Sequence, residues 1–449
     1  MTGVKICRLM ASASCGEGRE GCIENESRID RLSSLPDEVV HHIFSLSCAT
    51  KLDILDIKDL TLFSCVSKRC RQLVLSTPTL RFDLFPCHTS TCKDRLKFIS
   101  SLDRLLAHRG NNKLQLFIIS WYSYCSEEGQ CFPDDERFRV LTWVNNVLVR
   151  CKVETLYLYM EDVCIANDDN LVALPTCIFH AESLRSLMVE FDCKIQVPSF
   201  AFSSNLKYLE LTSVTIVDEG FFKWISCCCN CIEQLYLDDV YGPKSITIQS
   251  SSLKSFRFES SYSSELSQLH ISGEKLKELS IEWTFDSPME ISLYMFTPNL
   301  EKINWFGNLM NHLNLGKFVC LEEAEIGLQP AGDDWNNVFQ VLCSLRGAKD
   351  VILTEQLIKT SRFNTEFWAE FWEQDPAFFN ELQEFTIELW EGSNGIELAR
   401  YILEHAQNLE KMVIVHLPRH SDVEMVVSKS KMISNATLVF KSVPHHIDP

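Results

Sequence analysis

The sequence lacks several features that would place it in a large protein class at once. No stretch approaches the run of about 18 apolar residues that a membrane-spanning helix needs, and the N-terminal region has no apolar core of a secretory signal. Basic residues are scarce, since 42 Lys and Arg stand against 61 Asp and Glu, for a net charge of −19. This balance argues against nucleic acid or an anionic membrane as the main partner. We therefore expect a protein of the cytoplasm, the nucleus or both.

Motifs of catalysis and cofactor binding are missing as well. Neither the phosphate-binding loop nor the dinucleotide-binding glycine pattern occurs, and Gly-x-Ser-x-Gly and His-Glu-x-x-His are absent. The run CCCNC at 227–231 holds one Cys-x-x-Cys pair, with no second pair at zinc-finger spacing. We expect no enzyme, no cofactor and no metal site. Most of the 20 cysteines are interpreted as reduced, buried thiols.

The apolar fraction of 46% is sufficient for a large folded core, and the pattern divides the chain. Residues 1–28 are polar and predict a flexible tail. Residues 29–75 predict a small helical domain, in which Pro36 and the acids that follow it begin a helix. A second apolar run predicts one helical face formed by Leu60, Phe63, Val66, Cys70 and Leu73.

The remainder of the chain repeats a Leu-x-x-Leu-x-Leu template, with any apolar residue allowed at the three positions. Eleven copies start at Val153, Leu184, Leu206, Ile232, Leu253, Leu276, Leu300, Leu321, Ala348, Leu382 and Leu409. Most starts are separated by 21 to 27 residues, which is typical of leucine-rich repeats. The spacing predicts an α/β solenoid with a parallel sheet on the concave side and helices and turns on the convex side. Of the positions where the repeat has Asn or Cys after the strand, only Asn308 conforms, so we expect an irregular solenoid.

Two groups of residues resemble a known family. The segments DRLSSLPDEVVHHIF at 30–44 and CVSKRCR at 65–71 resemble the two ends of a plant F-box, although the family usually has Trp where this chain has Cys70. The segments at 381–387, 395–403 and 406–412 resemble the FBD region that ends many plant F-box/leucine-rich-repeat proteins. The resemblance implies an F-box-like domain at 29–75, a leucine-rich-repeat solenoid at 76–378 and FBD-like repeats, strand-helix-strand, at 379–442.

The resemblance also implies a function. F-box proteins are non-catalytic substrate receptors of SCF-type cullin-RING ubiquitin ligases, and their F-box binds a SKP-type adaptor. By position in the motif, the adaptor-facing or supporting residues are Leu32, Leu35, Pro36, Val39, Ile43, Val66, Ser67 and Arg69. The alternative for each of these residues is packing inside the helical domain.

Side chains that alternate with the core positions of the strands predict a second surface. Acids dominate this face, and tyrosines occur in the early repeats. We hypothesise that it binds a basic segment of a protein substrate through Tyr157, Tyr159, Tyr208, Glu210, Tyr236, Asp238 and Glu259. The alternatives are a solvated sheet face, a repeat scaffold without any ligase, and a small-molecule co-receptor.

Overall fold

The computed structural model has a mixed α/β fold. It divides into two compact units, an N-terminal unit of residues 1–206 and a C-terminal unit of residues 207–449. The structure describes residues 35–49, 57–83, 92–123, 133–162, 171–199, 204–261, 265–286, 290–330, 335–354, 357, 381–389, 394–416 and 435–442.

The first described elements of the N-terminal unit are three short helices, which we call the head. They are α1 (Asp37–Ala49), α2 (Ile57–Val66) and α3 (Lys68–Ser76). The apolar run predicted as one helical face is therefore split between α2 and α3, and Val66 at the break is 60% exposed. Ser67 causes the break, because its extended backbone and side chain begin a new helix.

Strand–helix repeats follow the head. The elements are β1 (Thr79–Asp83), α4 (Cys92–Arg109), β2 (Leu116–Ser123), α5 (Pro133–Val149), β3 (Thr155–Asp162), β4 (Val172–Ala173), a 3-10 helix (Thr176–His180) and β5 (Ser186–Ile195). Strands β1, β2, β3 and β5 pair in that order, all parallel, and β4 pairs with β5. Helix α4 lies in the return between β1 and β2, and α5 lies in the return between β2 and β3.

Aromatic side chains and a buried arginine hold this unit together. The Trp121 ring on β2 contacts Phe98 of α4 and Trp143 of α5, with ring centroids 6.1 and 5.6 Å away. Arg109 is 2% exposed, and its guanidinium donates to the carbonyl oxygens of Thr77 at 2.5 Å and Lys113 at 2.8 Å. Because Thr77 ends the head and Lys113 precedes β2, this arginine links the head to the first repeats.

The C-terminal unit is a stack of strands with a main sheet and a smaller second sheet. The main sheet contains, in spatial order and all parallel, β6 (Tyr208–Ile216), β7 (Gln234–Asp238), β9 (Ser255–Ser260), β11 (Glu278–Trp283), β13 (Lys302–Asn308), β15 (Glu323–Gln329), β16 (Asp350–Thr354), β17 (Glu384–Leu389), β18 (Lys411–His416) and β19 (Thr437–Ser442). Helices α6 (Gly220–Cys228), α7 (Trp335–Ser344) and α8 (Asn394–His405) lie in the returns. The Leu-x-x-Leu-x-Leu positions are buried along these strands, as the template predicts.

Four returns differ from the expected helices and turns, because they contain strands. These are β8 (Ser245–Gln249), β10 (Gln268–Ser272), β12 (Ser292–Phe296) and β14 (His312–Leu315), which form a parallel sheet in the order β14-β12-β10-β8. Along β8, β10 and β12 the Ile, Leu and Met side chains are buried and alternate with more exposed residues, and the two leucines of β14 are half-buried. The returns here are also short, with 16 residues between the end of β7 and the start of β9. A strand rises further per residue than a helix does, so it spans the same distance with fewer residues.

Lysine–glutamate pairs bridge neighbouring strands at the start of the main sheet. The pairs with their N–O distances are Glu233–Lys254 (2.7 Å), Lys277–Glu301 (2.7 Å), Lys302–Glu323 (2.7 Å), Glu322–Lys349 (2.9 Å) and Glu384–Lys411 (2.6 Å). Their side chains are substantially exposed, so each pair contributes little stability. Opposite charges placed across adjacent strands favour this register, because a shift would separate the paired charges.

Candidate functional site

The start of α1 is tied to α3 by Arg69. Its guanidinium donates to the carbonyl oxygen of Leu35 and pairs with the Asp37 carboxylate at 3.1 Å. The Pro36 carbonyl in turn accepts from the amides of Val39 and Val40 at 3.1 and 3.2 Å. Arg69 therefore acts as a positioning residue, which fixes where α1 begins relative to α3.

Ser67 plays a similar positioning role. Its hydroxyl oxygen accepts a hydrogen bond from the Cys70 amide at 3.0 Å, which satisfies one of the free N–H groups at the start of α3. Such a cap contributes about 1 kcal/mol to helix stability. Ser67 thus begins α3 beside Val66, the last residue of α2.

The head exposes apolar side chains that a closed helical core would bury. Val39 on α1 is 41% exposed, and Leu62 and Val66 on α2 are 61% and 60% exposed. Leu62 and Val66 are four residues apart, so they lie on one face of α2. Exposed apolar groups of this kind are typical of interaction surfaces.

The other predicted adaptor residues are distributed between surface and interior. Leu35 and Ile43 are half-buried and Pro36 is exposed, whereas Leu32 lies outside the described residues. Leu62 was missed by the motif comparison. Leu62 lies within the apolar run from Leu60 to Leu73 but is not one of the residues predicted to form its helical face. Only the observed orientation of α2 shows that Leu62 faces solvent.

The open face of the main sheet in the C-terminal unit contains a concavity of about 660 Å³. It collects five of the seven residues predicted to bind substrate, namely Tyr208, Glu210, Tyr236, Asp238 and Glu259. They come together because β6, β7 and β9 are adjacent and in register, with Glu210 opposite Tyr236 and Asp238 opposite Glu259.

Two tyrosines form the aromatic part of this concavity. The rings of Tyr208 and Tyr236 meet edge to face with centroids 5.3 Å apart. The Tyr208 hydroxyl donates to the Glu210 carboxylate. Burial, together with this carboxylate, raises the pKa of Tyr208 above its ordinary value, so the phenol stays neutral. The pair presents ring faces and edges with little conformational freedom, which suits an anchor for a partner.

A row of carboxylates crosses the sheet next to the tyrosines. Asp238, Glu259 and Glu282 stand opposite one another on β7, β9 and β11. Arg257 lies among them and pairs with Glu259. The hydrogen bond to Glu259 raises the pKa of Arg257, and the charges of Asp238 and Glu282 add to that shift. Three carboxylates around one guanidinium leave this row with a net negative charge.

The remaining two predicted residues lie in the N-terminal unit on β3. Tyr157 donates to Glu190 of the neighbouring strand β5 at 2.8 Å, and Tyr159 donates to Glu161 at 2.6 Å. The same pairing of a phenol with a carboxylate therefore recurs on the open face of this unit.

In the part of the chain that the structure describes, no group of three or more His, Cys, Asp or Glu side chains is arranged to hold a metal ion. The described helices also include none that is both long and apolar enough to cross a membrane.

Comparison with known families bears directly on both surfaces. The F-box domain model matches residues 52–82. A second model, described as the LRR repeats of FBD-associated F-box protein At5g56370, matches residues 142–330. The two matches give this chain an F-box domain and FBD-associated leucine-rich repeats. The F-box match covers α2 and α3, and the repeat match covers β3 to β15.

Several proteins of Arabidopsis thaliana are similar to this chain. F-box/FBD/LRR-repeat protein At5g56420 is 25% identical over 92% of this chain and 99% of its own length. The F-box/FBD/LRR-repeat protein At4g03220 is 28% identical over 71% of this chain, and the alignment spans 60% of that relative. F-box/LRR-repeat protein At3g59200 is 25% identical over 86% of this chain and 69% of its own length. An F-box followed by leucine-rich repeats is a domain pair that indicates an SCF-type substrate-adaptor role.

Proposed function

We propose that this protein is the substrate-recognition subunit of an SCF-type cullin-RING ubiquitin ligase. In this proposal the F-box-like domain at 29–75 binds a SKP-type adaptor, the solenoid at 76–378 holds a protein substrate, and the FBD-like repeats at 379–442 extend the solenoid. The transfer of ubiquitin is carried out by other subunits, in the cytoplasm, the nucleus or both.

The observation that carries the adaptor half is the exposed apolar surface of the head, in which Leu62 and Val66 lie within the F-box match and Val39 precedes it. Val39, Leu62 and Val66 supply contact area, and Pro36, Leu35 and Ile43 flank the start and middle of α1. Ser67 and Arg69 support this surface indirectly, because Ser67 caps α3 and Arg69 fixes where α1 begins relative to α3. A 1:1 complex of the full chain with a purified SKP-type adaptor is the expected result, and no complex would refute this half.

The substrate half is supported by the concavity of the C-terminal unit. Its acids Glu210, Asp238 and Glu259, with the tyrosine pair, suit a basic segment of a protein. The volume falls in the range of small-molecule sites, but charged and polar side chains make up most of its lining. A peptide, which brings its own backbone donors and acceptors, fits such a lining better than an apolar small molecule does.

Charge reversal on this face should weaken substrate binding. We expect the triple variant Glu210→Lys, Asp238→Lys, Glu259→Lys to bind a fluorescein-labelled Arg/Gly peptide roughly tenfold more weakly or worse. The loss arises because the carboxylates that attract and pair with the arginines become repulsive. Fluorescence polarisation at low and moderate salt measures the change.

A matched control separates this local effect from the change in net charge. Glu265, Glu290 and Glu404 are exposed and lie outside the concavity. Their reversal to lysine changes the net charge equally and should leave peptide affinity almost unchanged. Equal loss in both triple variants, or none in either, would contradict a binding role for the open face.

A further inference from the structure

A second cavity lies in the N-terminal unit, where the head meets the first long helix. Its volume is about 230 Å³, and α2, α3 and α4 form its walls. Its lining consists of Leu60, Thr61, Ser64, Cys65, Arg71, Val74, Leu75, Ser101, Arg104, Leu105 and His108.

The charged side chains that line this cavity are basic, although the protein as a whole is acidic. Arg71, Arg104 and His108 line it, and no acidic residue does, although the chain has a net charge of −19. Other arginines of the same unit have carboxylate partners: the pairs are Arg69–Asp37, Arg95–Glu136 and Arg139–Asp103. Among the described residues, neither Arg71 nor Arg104 has such a pair. Two exposed guanidinium groups are therefore available to an anion.

The other lining groups define which anion fits. The Ser64 and Ser101 hydroxyls donate to the carbonyl oxygens of Thr61 at 2.7 Å and Lys97 at 2.8 Å, so the guanidinium groups are the main donors. Leu60 and Val74 are buried beneath the cavity, and Leu75 and Leu105 are half-buried at its wall. The cavity thus combines a cationic rim with an apolar floor.

We propose that this cavity binds an acidic segment of a partner protein, through a carboxylate or phosphorylated side chain next to an apolar one. Guanidinium groups bind carboxylate and phosphate oxygens in a bidentate manner, so Arg71 and Arg104 hold the anionic group. The neighbouring apolar side chain covers Leu75 and Leu105. A free inorganic anion would leave this apolar floor unused, which is why a protein segment is the better occupant.

This site is separate from the apolar surface assigned to the SKP-type adaptor. On a helix of 3.6 residues per turn, the four α2 residues that line the cavity share one side, and Leu62 and Val66 share another. Loss of one interaction therefore leaves the other intact. Adaptor binding and acidic-segment binding can fail independently.

The test uses the full chain and three fluorescein-labelled peptides that differ at one residue. The peptides carry phosphoserine-Leu, Asp-Leu or Asn-Leu at their centre, and fluorescence polarisation measures their affinity. We expect the first two to bind and the Asn peptide not to bind. The double variant Arg71→Gln, Arg104→Gln should bind roughly tenfold more weakly or worse. Arg185→Gln, which removes an exposed arginine of the same unit outside the cavity, should bind normally.

Cys65 supplies a second readout at the site itself. It is exposed and lines the cavity, so bound peptide should slow its alkylation by iodoacetamide, as followed by peptide mass spectrometry. Exposed Cys320 of the C-terminal unit should react at an unchanged rate. Unchanged affinity in the double variant, equal loss in Arg185→Gln, or no protection of Cys65 would overturn the proposal. Inorganic phosphate competing as well as the peptides do would also overturn it, in favour of a small-anion site.

Discussion

Replacing Leu62 and Val66 together by aspartate should lower the affinity for a SKP-type adaptor by roughly 100-fold or more. Both side chains are about 60% exposed on one face of α2, so the free protein loses little packing. In the complex, however, two carboxylates would be removed from water without partners, which is costly. Surface plasmon resonance with immobilised adaptor measures the change, and circular dichroism verifies the fold.

The same unit offers a closely matched control. Leu96 on α4 and Val149 at the end of α5 are 62% and 60% exposed, close to the values for Leu62 and Val66. The double variant Leu96→Asp, Val149→Asp makes the same chemical change outside the F-box match and should bind the adaptor normally. Normal binding by the Leu62/Val66 variant, in a folded protein, would show that α2 does not contact the adaptor.

Replacing Gly307 by alanine should destabilise the C-terminal unit by about 3 kcal/mol. Gly307 lies near the end of β13 with a φ of +103°, which side chains other than glycine rarely adopt. A Cβ atom there would stand 2.1 Å from the Trp283 carbonyl oxygen on the adjacent strand. The backbone of β13 or β11 must then move. Thermal unfolding followed by circular dichroism should show a Tm lower by roughly 6–12 °C.

Gly110 separates the two causes of the expected destabilisation at Gly307, which are the positive φ and the close approach to a neighbouring carbonyl oxygen. It also has a positive φ, +66°, but a Cβ atom at this position would meet nothing within 4 Å. Gly110→Ala therefore carries only the conformational cost, about 1–2 kcal/mol. If both alanine variants lower Tm equally, the close approach of Gly307 to Trp283 contributes nothing and the expectation for β13 is wrong.

The strands of the repeats were predictable because one simple physical pattern determines them. A Leu-x-x-Leu-x-Leu unit places apolar side chains on one side of a strand, and only stacking on a neighbouring unit buries them. The pattern predicted β7, with Leu235 and Leu237 buried, and the acids and tyrosines of the open face followed from alternation. The register then brought Tyr208, Tyr236 and Glu259 to one concavity.

Three features were not predictable from the pattern. The first is that the returns contain the strands β8, β10, β12 and β14. Alternation over about five residues also fits an irregular turn, and only the pairing of neighbouring returns makes these segments strands. The run from Leu60 to Leu73 was predicted to form one helical face, and its break after Val66 depends on the hydrogen bond between Ser67 and Cys70, which the apolar spacing does not reveal. The position of Arg257 among three acids depends on the pairing of β7, β9 and β11, which joins residues far apart in the chain.

The central claim is that the head of this protein binds a SKP-type adaptor. Size-exclusion chromatography with light scattering, on the full chain mixed with purified adaptor at about 10 μM each, tests it most directly, since a complex of micromolar affinity is largely formed at that concentration. The account predicts a single 1:1 peak for the wild type, and separate peaks for the Leu35→Ala, Pro36→Ala variant if it remains folded. Separate elution of wild-type chain and adaptor would contradict the claim, and the protein would then be a leucine-rich-repeat interaction protein without a ligase.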